Sequence, residues 1–349
     1  MKITTTGFYG TGSSAITDLL KEYSTVACKD DYELRFLFDP DGISDLEYNL
    51  IENPNRHNSS HSLKRFIRNM ERLDHIWFVN RYNKYFDGTF LSHVNTFIES
   101  IVELEYSASW HYDVYDRGNA YYILTRSYSK IRALAYKILH TKMDGRSLLS
   151  NKDRAYLTTM NEEVFLEATR NLVDNLVTKL NPENKPYVML DQLVPPSNIE
   201  RYKRYVNNLK VIVVDRDPRD IFLLEKEVWR GTVAPTNSVE EFCKWYRWTR
   251  NTAKKGIDGD TLFIQFEDLI YQYQTTVKTI EVFLDLKACD HVSIKSSFNP
   301  QKSINNTQLW NVYTQYSNEM QYIYEHLTEY CYVFPLDVKS DRVNVKELF

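Results

Sequence analysis

Residues 7–14 read Gly7-Phe8-Tyr9-Gly10-Thr11-Gly12-Ser13-Ser14. The β-formers Ile3-Thr4-Thr5-Thr6 precede them, and Ala15, Ile16, Leu19 and Leu20 follow at helical spacing. A strand, a glycine-rich turn and a helix make a cradle for phosphate. The N–H groups of the turn converge on one place, and the positive N-terminal end of the helix adds to them. Thr11, Ser13 and Ser14 supply hydroxyl donors. Gly7, Gly10 and Gly12 are three of the ten glycines in the chain. That concentration favours a ligand-holding turn over a plain tight connection. The spacing is nearly that of a nucleotide-binding P-loop, but Ser13 stands where the lysine of that loop belongs.

The rest of the chain fits this start. Strands are expected at about 2–6, 25–28, 187–190, 209–214 and 262–266, and helices at about 13–22, 162–180, 198–206, 220–229, 239–252 and 268–283. The fold class is therefore α/β, a parallel sheet with helices on both faces. Ligands of such sheets bind at the carboxyl ends of the strands. The segment 30–42 is mixed. Residues 45–150 read as helices and loops rich in Tyr, Asn and Arg, with helical spacing at 61–73, 94–105 and 122–140. They form a helical cap or insertion on a single domain, whose core is about 1–44 and 160–335.

Composition narrows the function. The 349 residues are 43% hydrophobic and 26% charged, a globular balance with ample material for a core. A net charge of -4 argues against nucleic acid as a partner. The four cysteines, Cys28, Cys243, Cys289 and Cys331, are far apart and read as reduced, buried thiols. No apolar run is long enough to be a transmembrane segment, and the N-terminus lacks the apolar stretch of a signal peptide. The expected location is cytoplasmic. His57 and His61 are spaced i, i+4 but lie in the polar run NRHNSSHS, so they read as surface residues and not as metal ligands.

Three later stretches carry chemistry. VIVVDRDPRD, 211–220, is a buried strand ending in Asp215, with Arg216 placed to grip a phosphate in a fork and Pro218 suited to a first helical turn. The plain alternative is a helix start capped by Asp217, with Arg216 and Arg219 in salt bridges. A strand ending in Asp215 also fits a Mg²⁺-nucleotide site, as in a P-loop kinase. FIQFEDLIYQ, 263–272, reads mainly as capping and packing by Glu267 and Asp268. FNPQKSINNTQLW, 298–310, is a polar loop in which Lys302, Ser303, Asn305, Asn306 and Thr307 suit a phosphate or a ribose.

Taken together and in this order, the four stretches resemble the sulfotransferases that use 3′-phosphoadenosine 5′-phosphosulfate (PAPS). In that family a first loop, typically PKSGTT, holds the 5′-phosphosulfate. A motif R-x-P-x-D holds the 3′-phosphate, and a C-terminal loop with a basic residue and a tryptophan covers the nucleotide. Gly12-Ser13-Ser14 matches the first; Arg216, Pro218 and Asp220 match the second; Phe266-Glu267-Asp268-Leu269 resembles the Y-E-D-L that often follows; Lys302 to Trp310 resembles the third. The likeness covers about 1–40 and 185–330, and leaves 45–150 unmatched. The loop lysine of the family would fall at Gly10, and Leu224 stands in place of its motif serine.

The resemblance implies PAPS as donor, 3′,5′-ADP (PAP) as product, no metal, and cofactor contacts from Gly10, Thr11, Gly12, Ser13, Ser14, Arg216, Arg219, Lys302, Ser303 and Asn305. Lys302, Arg219 or Arg35 would replace the absent cation. Cytosolic members use a histidine base, but the corresponding stretch 190–194 holds Gln192. Carbohydrate-type members use a glutamate, and Glu33 in Glu33-Leu34-Arg35-Phe36-Leu37 fits that pattern. The expected catalytic pair is thus Glu33 and Lys302, acting on a hydroxyl of a glycan or glycolipid. A sterol or other apolar alcohol, lined by Trp77, Tyr82, Trp110 and Tyr115, is the second acceptor class. A P-loop kinase and a non-catalytic nucleotide-binding protein stay open. The oligomeric state is not legible.

Overall fold

The computed structural model describes residues 1–29, 32–108, 110–140, 153–251 and 259–335. Asp30 and Asp31 of the mixed segment and Thr252, the end of an expected helix, lie outside that set, as do 141–152. The chain divides into two compact units, 1–37 with 174–349, and 38–173.

The first unit is built on a parallel sheet of five strands. They are β1 (Lys2–Gly7), β2 (Val26–Cys28), β3 (Tyr187–Asp191), β4 (Leu209–Asp215) and β5 (Thr261–Gln265), in the order β2-β3-β1-β4-β5. Every pair is parallel, with Thr4 opposite Leu190 and Val211, and Asp215 opposite Gln265. The expected α/β class is the observed one. Ile212 and Val214 of β4 pack into a cluster with Ile16, Leu19 and Leu20 of helix α1 (Ser14–Lys21) and with Val277 and Ile280. Val211 and Val213 point to the opposite face by strand alternation and are also fully buried, so both faces of the sheet are covered. The middle strand carries three buried threonines. Two of them are satisfied: Thr4 donates to the Leu190 carbonyl at 2.7 Å, and Thr5 to Asp191 at 3.1 Å. Burial of hydroxyls costs little once they are hydrogen-bonded.

Two expected helices differ in detail. The one after β4 starts earlier, as α2 (Pro218–Leu223), because Asp217 caps it by accepting from the Arg219 N–H and Pro218 fits its first turn. It then widens into a π-helical turn, Leu224–Trp229, ended by Arg230 at φ +50°. The helix expected at 268–283 is split at Gln272, where φ is -127°. The Thr276 hydroxyl there donates to the carbonyls of Asp268 and Gln272.

The second unit has its own core, in which Leu63, Phe66, Met70, Tyr85, Phe86, Phe90 and Phe97 are buried. Helices Arg56–Asp74, Phe90–Ile101 and Asn119–Ile138 answer the expected helical stretches. Residues 104 and 105, expected at the end of a helix, instead open a strand, Leu104–Ser107, paired antiparallel with Arg154–Leu157. Its alternation, Leu-Glu-Tyr-Ser, is the period of a strand. His57 and His61 are half-buried rather than fully exposed. His61 lies 3.3 Å from Asp116 with little exposure, and His57 packs edge-on against Trp110. Of the aromatics expected to line an acceptor pocket, Tyr82 is buried against Phe86 and Phe90, whereas Trp77 is 84% exposed. The four cysteines are free, but of the four expected to be buried Cys243 alone is; Cys28 and Cys331 are half-buried and Cys289 is exposed. Among the described residues no helix is long and apolar enough to cross a membrane.

Candidate functional site

At the carboxyl end of β1 the chain turns through Gly10 and Gly12 at φ +76° and +82°, a left-handed conformation that side chains rarely adopt. Space excludes them as well. A Cβ on Gly12 would stand 2.7 Å from the Phe266 ring, and one on Gly10 would stand 3.1 Å from the Trp229 ring. The turn therefore lies directly against two aromatic rings, and α1 begins from it at Ser14.

A cavity of about 690 Å³ opens beside this turn, within the range of small-molecule and cofactor sites. Gly10, Gly12 and Ser14 line it from the loop, and Arg216 from the end of β4. Lys302, Ser303 and Asn305 line it from the C-terminal loop. Seven of the expected site residues are thus brought together from three separated stretches. Phe266 represents the fourth stretch, and Trp229, Phe298 and Asn306 complete the wall.

Arg216 is the centre of this arrangement. It is 4% exposed, and its guanidinium lies over the Phe266 ring, 4.5 Å from the centroid. One nitrogen donates to the Gly10 carbonyl at 3.4 Å and another to the Asn306 carbonyl. The loop glycine and the C-terminal loop are cross-linked through it. Nε has no hydrogen-bond partner among the described residues. Burial pushes its pKa down, opposed by Asp220, Glu267 and Asp217. A buried cation that donates to carbonyls and leaves one N–H over suits an anion.

The carboxylates around it are engaged in holding the walls. Asp220 accepts from the N–H groups of Gln308 and Leu309 at 3.0 and 2.8 Å, which fastens the C-terminal loop to α2. Burial raises its pKa to about 7. Glu267 accepts from the Asp217 N–H at 2.9 Å, and burial raises it to about 8. It is therefore held neutral near pH 7, which softens the negative charge behind Arg216. Asp18 also lines the cavity, and its charge is balanced by Lys21 at 2.7 Å.

The other expected residues lie elsewhere. Thr11 and Ser13 are buried behind the turn. Arg219 grips Asp217 through Nε and Nη2, at 2.9 and 2.6 Å, and stacks on Trp310 at 4.1 Å. It lines a second cavity of about 380 Å³ with Met320 and Tyr324. Arg35 is 3.3 Å from Glu33. Glu33 accepts from Gln192 Nε2 at 3.1 Å, and Leu34 N–H donates to the Asp191 carbonyl at 2.8 Å. Glu33 is thus held at the carboxyl end of β3, the strand next to β1. Of the residues lining the larger cavity, Arg216 and Lys302 carry positive charge.

Sequence reasoning missed Trp229 and Phe298 as lining residues. Phe298 opens the polar stretch already singled out, and Asn306 was read as one of its donors. Trp229 reaches the cavity through a π-helical turn, for which the sequence has no marker.

No protein-family model matches the chain, and no curated protein matches it. Among solved structures, a sulfotransferase domain from the curacin biosynthetic pathway aligns over 95% of this chain and 98% of its own. Identity is 14% and the TM-score 0.38. So remote a likeness carries no weight for activity, which must be argued from the site.

Proposed function

We propose that the protein is a PAPS-dependent sulfotransferase that moves a sulfuryl group to a hydroxyl of a glycan or glycolipid. The observation that supports this is the convergence on one cavity of the glycine turn, Arg216 and the Lys302–Asn306 loop. These are the three stretches whose order and residue types resemble the family.

In this reading Ser14 and the backbone of the turn hold the 5′-phosphosulfate. Arg216 holds the 3′-phosphate, and Trp229, Phe266 and Phe298 offer apolar surface to the adenine. The acceptor oxygen attacks sulfur in line as the bond from sulfur to the phosphate oxygen breaks. Glu33 takes the acceptor proton, and Lys302 balances the charge that develops on the leaving phosphate. The products are the sulfate ester and 3′,5′-ADP. No metal is required, because the transferred group carries a single negative charge.

The arrangement of Asp215 speaks against the kinase. Its carboxylate accepts from Arg250 Nε at 3.0 Å and from Nη2 at 2.5 Å. A carboxylate so engaged is a poor candidate to hold Mg²⁺. The test is calorimetry with 3′,5′-ADP and with Mg·ATP, followed by transfer from labelled PAPS to candidate acceptors. Binding of the first nucleotide with transfer is expected. Tighter binding of Mg·ATP would overturn the reading, and binding of 3′,5′-ADP without transfer to any acceptor would leave a nucleotide-binding protein.

A further inference from the structure

The unit of residues 38–173 carries two surface features that the proposed reaction does not use. The first is helix Asn119–Ile138, in which none of the twenty residues is buried. Ile123, Leu124, Ile131, Leu134 and Ile138 are each 59–67% exposed. At 3.6 residues per turn these five fall within an arc of about 100°. Arg126, Lys130 and Lys137 border one side of that arc, and Arg132 lies beyond the other. No Asp or Glu occurs from Asn119 to His140, in a chain whose net charge is -4.

The second feature is a short hairpin, His75–Ile76 paired with Val79–Asn80. Its two-residue turn is Trp77-Phe78, and these rings are 84% and 88% exposed. Trp77 has φ +55°, in the left-handed region where a hairpin turn favours Gly or Asn. A tryptophan held there, fully in water, is costly for folding alone, and such an outlier points to a use. Arg72 and Arg81 flank the hairpin and are exposed.

We propose that this unit docks on an anionic lipid surface. An apolar helical arc bordered by cations, with no carboxylate, matches the boundary between headgroups and acyl chains. The apolar side chains enter the acyl region, and Lys and Arg stems reach back to the phosphates. Trp is the residue that settles at that boundary, with its ring in the apolar layer and its N–H in the wet one. A second copy of the chain is a poor occupant, because two helices of this kind would meet like charge with like. The proposal does not rest on the sulfotransferase reading.

The test is cosedimentation of the full chain with phosphatidylcholine vesicles, with and without about one third phosphatidylglycerol. The chain is expected to pellet with the anionic vesicles and to be released by salt. The double substitution Ile131→Glu with Leu134→Glu should lower the partition coefficient at least about tenfold. Trp77→Ala with Phe78→Ala should lower it severalfold. Lys130→Gln with Lys137→Gln keeps the apolar arc and should weaken the salt dependence. All six positions are exposed, so thermal melting should be unchanged. No partition into anionic vesicles overturns the proposal. So does partition that these variants leave unaltered, or a face that binds only an acidic protein or a second copy.

Discussion

Arg216 lies over the ring of Phe266, 4.5 Å from its centroid. The same ring also borders the glycine turn, standing 2.7 Å from where a Cβ on Gly12 would be. Phe266 is thus packed against both groups expected to hold the two ends of a phosphorylated nucleotide.

Arg216 should discriminate between nucleotides. Loss of a charge-assisted contact to a desolvated partner costs roughly 2–5 kcal/mol. Arg216→Ala should therefore weaken 3′,5′-ADP at least about tenfold more than 5′-AMP, which lacks the 3′-phosphate. The ratio matters because Arg216 also donates to the carbonyls of Gly10 and Asn306, so the variant will lose some affinity for both. Calorimetry with the two nucleotides is the measurement. Equal weakening would make the residue a structural cross-link only.

Gly12 should resist any side chain. The sequence alone leads to the expectation that Gly12→Val removes binding while the fold survives. The Phe266 ring changes that. A left-handed non-glycine residue costs about 1–2 kcal/mol, and overpacking adds about 1–3 kcal/mol. Gly12→Ala should both melt lower and bind 3′,5′-ADP more weakly. Adding Phe266→Ala should recover part of the binding, because it opens the space. If that second substitution lowers binding further, the ring matters more as adenine surface than as a spacer.

The buried acids should make stability fall as pH rises. Unfolded carboxyls release their protons near pH 4, whereas burial holds Asp220 to about 7 and Glu267 to about 8. Between those limits the folded chain keeps protons that the unfolded chain has lost. Stability therefore drops as pH climbs through that window, and the drop is complete above the folded values. Melting followed from pH 5 to 9 should show the decline, and Glu267→Gln, neutral at every pH, should flatten its upper part. A melting temperature that rises over the same range would show that these groups ionise freely.

How far the site was legible follows from these residues. That the glycine turn and Arg216 meet was readable because each follows a strand, and parallel strands end on one edge of the sheet. The parallel sheet was readable because VIVV and the ITTT run alternate with helical periods. Arg219 misled because it sits in the same motif as Arg216. For Arg219 the plain alternative holds: Asp217 both caps α2 and takes its guanidinium. Trp229 was invisible for a different reason. It ends a π-helical turn, and its ring packs against Tyr9, 5.7 Å between centroids, whose hydroxyl donates to Glu225. Contacts between distant segments of this kind leave no local pattern.

The proposed base is Glu33, and the structure adds constraints to that proposal. The carboxylate is half exposed, takes a hydrogen bond from Gln192, and lies 3.3 Å from Arg35. It belongs to the carboxyl edge of the sheet, since Leu34 is bonded to Asp191 at the end of β3 and β3 neighbours β1. From there it can meet an acceptor hydroxyl that approaches the end of the cradle opposite Arg216. Glu33→Gln keeps the shape and the Gln192 neighbour but removes basicity. It should bind 3′,5′-ADP as the native chain does, and transfer sulfate from PAPS about 10²–10⁴ times more slowly. Arg35→Ala, which leaves the carboxylate in place, should slow transfer far less. If Glu33→Gln turns over at a near-native rate, the base is another group, and Asp191, which accepts from Thr5 at the same strand end, becomes the residue to replace.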